Sequence, residues 1–169
     1  ERVVGEPNKA LYVYDCVFSD CHASGINSDG SGGAIYAWGP PETEIVRCGF
    51  QRCSARASGG AIALITYSIT LHRVCFTRCH ARSSSATSGY GNSSLITFTT
   101  FMGPPRPVDC SRVFSFGGEK VEIEFMNISR SLSRDKVAFI KGKIIPNAMM
   151  RHSCFCSSCG DVGFEFTGE

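Results

Sequence analysis

The chain is poor in charge, in methionine and in tryptophan, and it lacks any long apolar run. Charged residues make up only 19% of its 169 residues, and the formal net charge is +2. That balance is too small for a nucleic-acid-binding footprint. No run of about 18 apolar residues occurs, which excludes a transmembrane helix within these residues. The N-terminus has no signal-peptide pattern. No segment carries a helical apolar stripe longer than two turns, which argues against a helical bundle. Carboxylates do not cluster as glycosidase or lyase chemistry requires. The close pair Glu122 and Glu124 alternates with Val121, Ile123 and Phe125, the pattern of a strand with one wet face. No Ser/His/Asp or Cys/His set stands at a specific spacing. No enzymatic activity and no cofactor are expected.

What is abundant is glycine, at 18 residues, and cysteine, at 10. Both fall in a repeated sentence. Cys16-Val17-Phe18-Ser19-Asp20-Cys21 is followed by Ser31-Gly32-Gly33-Ala34-Ile35. Cys48-Gly49-Phe50-Gln51-Arg52-Cys53 is followed by Ser58-Gly59-Gly60-Ala61-Ile62. Val74-Cys75-Phe76-Thr77-Arg78-Cys79 is a third copy, and Ser93-Ser94-Leu95-Ile96 reads as its blurred sequel. Two further frames fit: Ile123/Phe125/Ile128 and Cys154/Cys156/Cys159. The frames start at residues 16, 48, 74, 123 and 154. The long third step leaves room for one degenerate unit between Leu95 and Glu122, whose register stays open.

Units that return in register predict a stacked repeat. Strand, tight glycine bend, strand and variable connection are what a parallel β-helix needs, with like residues stacked in ladders and loops facing water. An antiparallel sandwich explains the alternation but not the recurrence of whole units. The expectation is all-β: one β-helix segment over residues 1–169, of about six coils. Repeats are clear over 14–96 and degenerate, with loops, over 97–169. The chain starts at Glu1 without Met, and Gly163-Phe164-Glu165-Phe166 still reads as strand, so the segment is expected to be part of a longer repeat protein. Flanking coils or a partner subunit would then cover its open strand edges.

The residues Phe18-Ser19-Asp20-Cys21 and Gly32-Gly33-Ala34-Ile35 resemble the paired FxxN and GGAI repeats of the chlamydial polymorphic membrane proteins. They resemble even more closely the cysteine variant in the Pmp-like repeat proteins of trichomonad parasites. The resemblance runs over residues 14–62, loosens over 72–96 and fades from 97 to 169. It departs at the Asn position, which here holds Cys21, Cys53 and Cys79. It implies a right-handed parallel β-helix in a surface or secreted protein acting in adhesion, hence an extracellular or cell-surface location. Two alternatives stand beside it. One is a polysaccharide-active or polysaccharide-binding β-helix protein; the other is an intracellular architectural component of a larger assembly.

Three groups of residues bear on function. Asp15/Arg47/Arg73, Asp20/Arg52/Arg78 and Ser24/Arg56/Arg82 occupy three repeat positions, so they should form short ladders. Like charges stacked directly on one another are destabilising unless an anion relieves them. Arg47, Arg52, Arg56, Arg73, Arg78 and Arg82 are therefore candidate contacts for an acidic glycan or protein partner, whose anionic groups suit the guanidinium fork. A solvated, screened edge explains the same residues without a ligand. Trp38, opening a Gly39-Pro40-Pro41 loop, is a candidate surface aromatic, although such a residue more often caps a core. His152, Cys154, Cys156 and Cys159 form a weak zinc alternative, because repeat register already accounts for Cys154 and Cys159. The other cysteines read as an interior thiol ladder, with disulfides as the alternative. Asn92-Ser93-Ser94 and Asn127-Ile128-Ser129 have the form of N-glycosylation sequons.

Overall fold

A computed structural model describes residues 3–82, 85–91, 93–97, 100–102, 112–118, 120–124, 127–129, 136–142, 149–151 and 154–156, with side chains mainly up to residue 82. The chain is a parallel β-helix. Its strands come in successive groups. The first is β1 (Val3–Gly5), β2 (Leu11–Tyr14), β3 (Val17–Ser19) and β4 (His22–Ala23). The second is β5 (Ile35–Trp38), β6 (Glu42–Val46), β7 (Gly49–Gln51) and β8 (Ser54–Ala55). The third is β9 (Ile62–Ile65), β10 (Ser68–His72), β11 (Cys75–Thr77) and β12 (His80–Ala81). Then follow β13 (Ser85–Tyr90), β14 (Ser93–Thr97) and β15 (Thr100–Met102). Next are β16 (Arg112–Gly118), β17 (Lys120–Glu124) and β18 (Asn127–Ser129). The last are β19 (Lys136–Gly142), β20 (Met149–Arg151) and β21 (Cys154–Cys156).

Strands at like places in each group pair in parallel. They make three six-stranded sheets, led by β1, β2 and β3, and a three-stranded sheet of β4, β8 and β12. One short 3-10 helix, Asn27–Gly30, is the sole helical turn among the described residues. No described helix is long and apolar enough to cross a membrane.

The core follows from alternation. Ile35 stacks on Ile62 and Val13 on Ile45, and Ile45 on Leu71; the isoleucines and Leu71 are fully buried. Phe18, Phe50 and Phe76 are vertical neighbours with parallel rings. Each of the first three groups turns its corners with single residues in the left-handed region. Asp15, Arg47 and Arg73 have φ of 53°, 52° and 53°, and Asp20, Arg52 and Arg78 have 57°, 52° and 56°. A left-handed non-glycine residue costs roughly 1–2 kcal/mol, and Asp bears it better than Arg. A cysteine follows five of these six corners. The thiols of Cys16, Cys21, Cys48, Cys53 and Cys79 each donate to the carbonyl two residues earlier, across the corner. The thiol register is thus a corner clasp as well as a core position.

Pairing also corrects the later frames. Phe76 is followed in its column by Phe101, Ile128 and Phe155. Ile123 instead lies in the neighbouring sheet beside Ile96, while Phe125 lies outside the described residues. Cys154 pairs with Asn127, in the outward column of Val17, Gly49 and Cys75, not with Cys16 and Cys48. The expected frame was therefore one residue out at its end, and a one-residue slip exchanges the two faces of a strand. Ser93–Thr97 pairs with Ser68–His72, so Leu95-Ile96 is not the sequel to Gly60-Ala61-Ile62. That place belongs to Ser85–Tyr90, whose Ser88 and Tyr90 pair with Ala63 and Ile65. Its small, polar residues carry no apolar alternation to reveal it.

Candidate functional site

The fourth sheet is made of three two-residue strands, and each begins a tripeptide of one pattern. In His22-Ala23-Ser24, Ser54-Ala55-Arg56 and His80-Ala81-Arg82 the alanines point inward. Ala23, Ala55 and Ala81 are buried and form a small apolar cluster of their own. Period two then sends both flanking residues outward. The result is two adjacent columns, His22/Ser54/His80 and Ser24/Arg56/Arg82. Together they line an open groove of about 380 Å³ floored by Ala55.

The wall behind the groove is held by glycine. A Cβ on Gly33 would strike the backbone of Gly60 and Ser54, and one on Gly60 would strike the backbone of His80. Only glycine lets the bend pack this close. Gly32 and Gly59, just before, lie at φ 65° and 63°.

Within the groove, His22 Nδ1 and Ser54 Oγ are hydrogen-bonded at 2.7 Å. His80 is half-buried. Burial pushes its pKa down, a hydrogen bond to the Arg78 carbonyl opposes this, and the nearby His22 and Arg82 add to the depression. No carboxylate is among the lining residues. The groove is therefore a cationic, hydroxyl-bearing trough along the stacking axis.

The expected arginine ladders separate into two kinds. Arg47 Nε and Nη2 donate to Asp15 Oδ1 and Oδ2 at 2.6 and 2.7 Å. Arg52 grips Asp20 in the same two-pronged way at 2.6 Å. These bonds hold both aspartates below the usual carboxylate range. Arg47 and Arg52 are thus engaged within the protein. Arg73 and Arg78 follow them at the same corners, Arg56 and Arg82 face the groove, and Arg56 and Arg73 likewise have partners within the protein. His22, Ser54 and His80 share one register two turns long, too far apart for His22 and His80 to hold a joint ligand directly, and the groove brings them beside Arg56 and Arg82. In the sequence all three precede an alanine of the same register.

Trp38 does not cap the core: it is 58% exposed. It pairs with Ile65, which pairs with Tyr90, and all three are exposed. Cys16, Cys21, Cys48, Cys53, Cys75 and Cys79 carry thiols, not disulfides. Of the zinc alternative, His152 and Cys159 lie outside the described residues, and Cys154 and Cys156 are the two ends of β21. The sequon residue Asn92 also lies outside them, whereas Asn127 opens β18.

Comparison with protein-family models, curated proteins and solved structures returns no match.

Proposed function

We propose that this chain is a non-enzymatic recognition segment of a surface or secreted β-helix protein, and that its groove binds an acidic glycan. The observation that carries this is the groove itself: Arg56 and Arg82 beside His22, His80 and Ser54, with no carboxylate among the lining residues. A linear trough of cations and hydroxyls suits a linear polyanion, because guanidinium groups take sulfate and carboxylate oxygens two at a time. The adhesive, extracellular role is supported by the likeness of Phe18-Ser19-Asp20-Cys21 and Gly32-Gly33-Ala34-Ile35 to the Pmp-like repeats.

The test is binding of dextran sulfate against uncharged dextran. Arg56→Ala with Arg82→Ala should weaken dextran sulfate binding at least about tenfold, the loss of two charge-assisted contacts. Arg47→Ala, on another column, should not. Equal loss in both variants would make the attraction general and remove the groove's role.

An enzymatic reading has one observation in its favour, the hydrogen bond between Ser54 and His22. The surroundings favour it less. No lining carboxylate orients the imidazole, as a nucleophilic dyad needs. The amides of Ser54, Arg56, His80 and Arg82 are all committed to strand partners and cannot form an oxyanion hole.

A further inference from the structure

Cys21, Cys53 and Cys79 stand on successive turns, each just before a strand of the fourth sheet. Pairing on either side fixes their register. Ser19 and Thr77 flank Gln51, while His22 and His80 flank Ser54. The Ser54 amide donates to the Cys21 carbonyl at 2.9 Å, and the His80 amide to the Cys53 carbonyl at 3.1 Å. We infer that Cys21 and Cys53 are a redox pair, and that hydrogen peroxide closes a disulfide between them, tying the first turn to the second. The inference is independent of what the groove binds.

Neighbouring rungs lie about 4.8 Å apart. That falls within the roughly 4.4–6.8 Å that Cα atoms span across a disulfide. In-register side chains of parallel strands point the same way, so the sulfurs meet: the thiols of Cys79 and Cys21 hydrogen-bond to the Cys53 sulfur. They draw Cys53 down to about 7 against its burial. A thiol attacks best when its acidity matches the ambient pH. Burial instead raises Cys21, which keeps its proton. Cys16 and Cys48 also occupy successive turns, but there the Cys48 sulfur takes a hydrogen bond from the Cys16 backbone rather than from its thiol.

The choice of Cys21 over Cys79 follows from position. Cys21 joins β3 and β4, each the outermost strand of its sheet, whereas β11, which precedes Cys79, is covered by β15. End strands open most readily, and their opening admits a molecule as small as peroxide to Cys53. The ionised Cys53 sulfur attacks one peroxide oxygen, and hydroxide leaves to take up the proton that Cys53 released. The Cys21 sulfur then attacks the resulting sulfenic sulfur, and water leaves. Two thiols and one peroxide thus give one disulfide and two waters; the sulfurs lose the two electrons that the peroxide oxygens gain.

The experiment exposes the intact, folded chain to hydrogen peroxide and removes the excess with catalase. The remaining thiols are then alkylated in denaturant, and the peptides are mapped after trypsin and Asp-N digestion. Cuts after Arg52 and before Asp20 separate Cys53 from Cys48 and Cys21 from Cys16. The expected result is a peptide pair joining Cys21 to Cys53, about 2 Da lighter than the two reduced peptides and parted by dithiothreitol. Cys48 and Cys79 should be recovered as alkylated thiols. Cys21→Ser should abolish the pair, and Cys16→Ser, at the neighbouring corner, should leave it. The exposed Cys75 reports that peroxide has acted. Oxidation of Cys75 without a link between Cys21 and Cys53 overturns the inference. So does a link from Cys53 to Cys79, or a link between Cys21 and Cys53 that forms only in denaturant.

Discussion

The ring of Phe50 lies face to face with that of Phe76, 4.9 Å between centroids and 10° from parallel. Phe18 lies on its other side at 5.0 Å. Phe50 is fully buried, so truncation opens a cavity between two rings held by separate strands. Phe50→Ala is expected to cost about 3–5 kcal/mol in chemical denaturation. Phe18→Ala, at a half-buried site, should cost clearly less. Equal effects at the two positions would argue against the stacked column.

Two glycines make a matched pair. An added Cβ at Gly60 collides with the His80 backbone, whereas at Gly49 its nearest neighbour is a Val17 methyl at 3.8 Å. Gly60→Ala should destabilise by about 3 kcal/mol or more, beyond the usual range of point mutants. Gly49→Ala should be neutral or stabilising by up to about 1 kcal/mol, through a less flexible unfolded chain. Thermal melting of both variants decides it. Because Gly60 backs the groove, Gly60→Ala should also weaken dextran sulfate binding.

The corner ion pairs set an acid limit. Asp15 and Asp20 have folded pKa values lowered by hydrogen bonds and charge from Arg47 and Arg52. A lowered folded pKa means that the contribution is present above the unfolded carboxylate value. It is lost as pH falls through the folded one. Melting temperature should therefore drop below about pH 4. Asp15→Asn with Asp20→Asn should flatten that drop. Both pairs are exposed, so added salt should shrink the difference at neutral pH. A salt-independent difference would show that geometry, not charge, holds the corners.

Thiol reactivity should follow access rather than acidity. Cys75 is exposed, while Cys53 is wholly buried. The Cys79 thiol beside Cys53 draws it down to about 7 against its burial. In native alkylation followed by peptide mapping, Cys75 should react first. Cys48, Cys53 and Cys79 should react only as the protein unfolds. Early labelling of Cys53 would mean that the column opens locally.

Much of this molecule is legible along the chain because its interactions are vertical. Phe18, Phe50 and Phe76 sit at one place in three copies of a sentence, so their stacking could be anticipated without coordinates. The same holds for Asp15 beneath Arg47 and Asp20 beneath Arg52. The later frames were harder. Phe101 and Phe155 belong to the phenylalanine column, but Cys154 and Cys156 imitate the earlier cysteines one residue out of step. A pattern with a period of two offers no penalty for that slip until a neighbouring strand is present.

By itself the sequence determined the parallel β architecture, the first three copies of the core ladder and the charged corners, since alternation and repetition are local properties of the chain. The tertiary structure alone decided three things. It put His22, Ser54 and His80 with Arg56 and Arg82 into one trough. It left Trp38 in solvent beside Ile65. It assigned Ser85–Tyr90, and not Leu95-Ile96, to the strand after the glycine bend. Each depends on which backbone hydrogen-bonds to which across successive turns of the helix, and that register is set by pairing between distant segments rather than by the residues of any one of them.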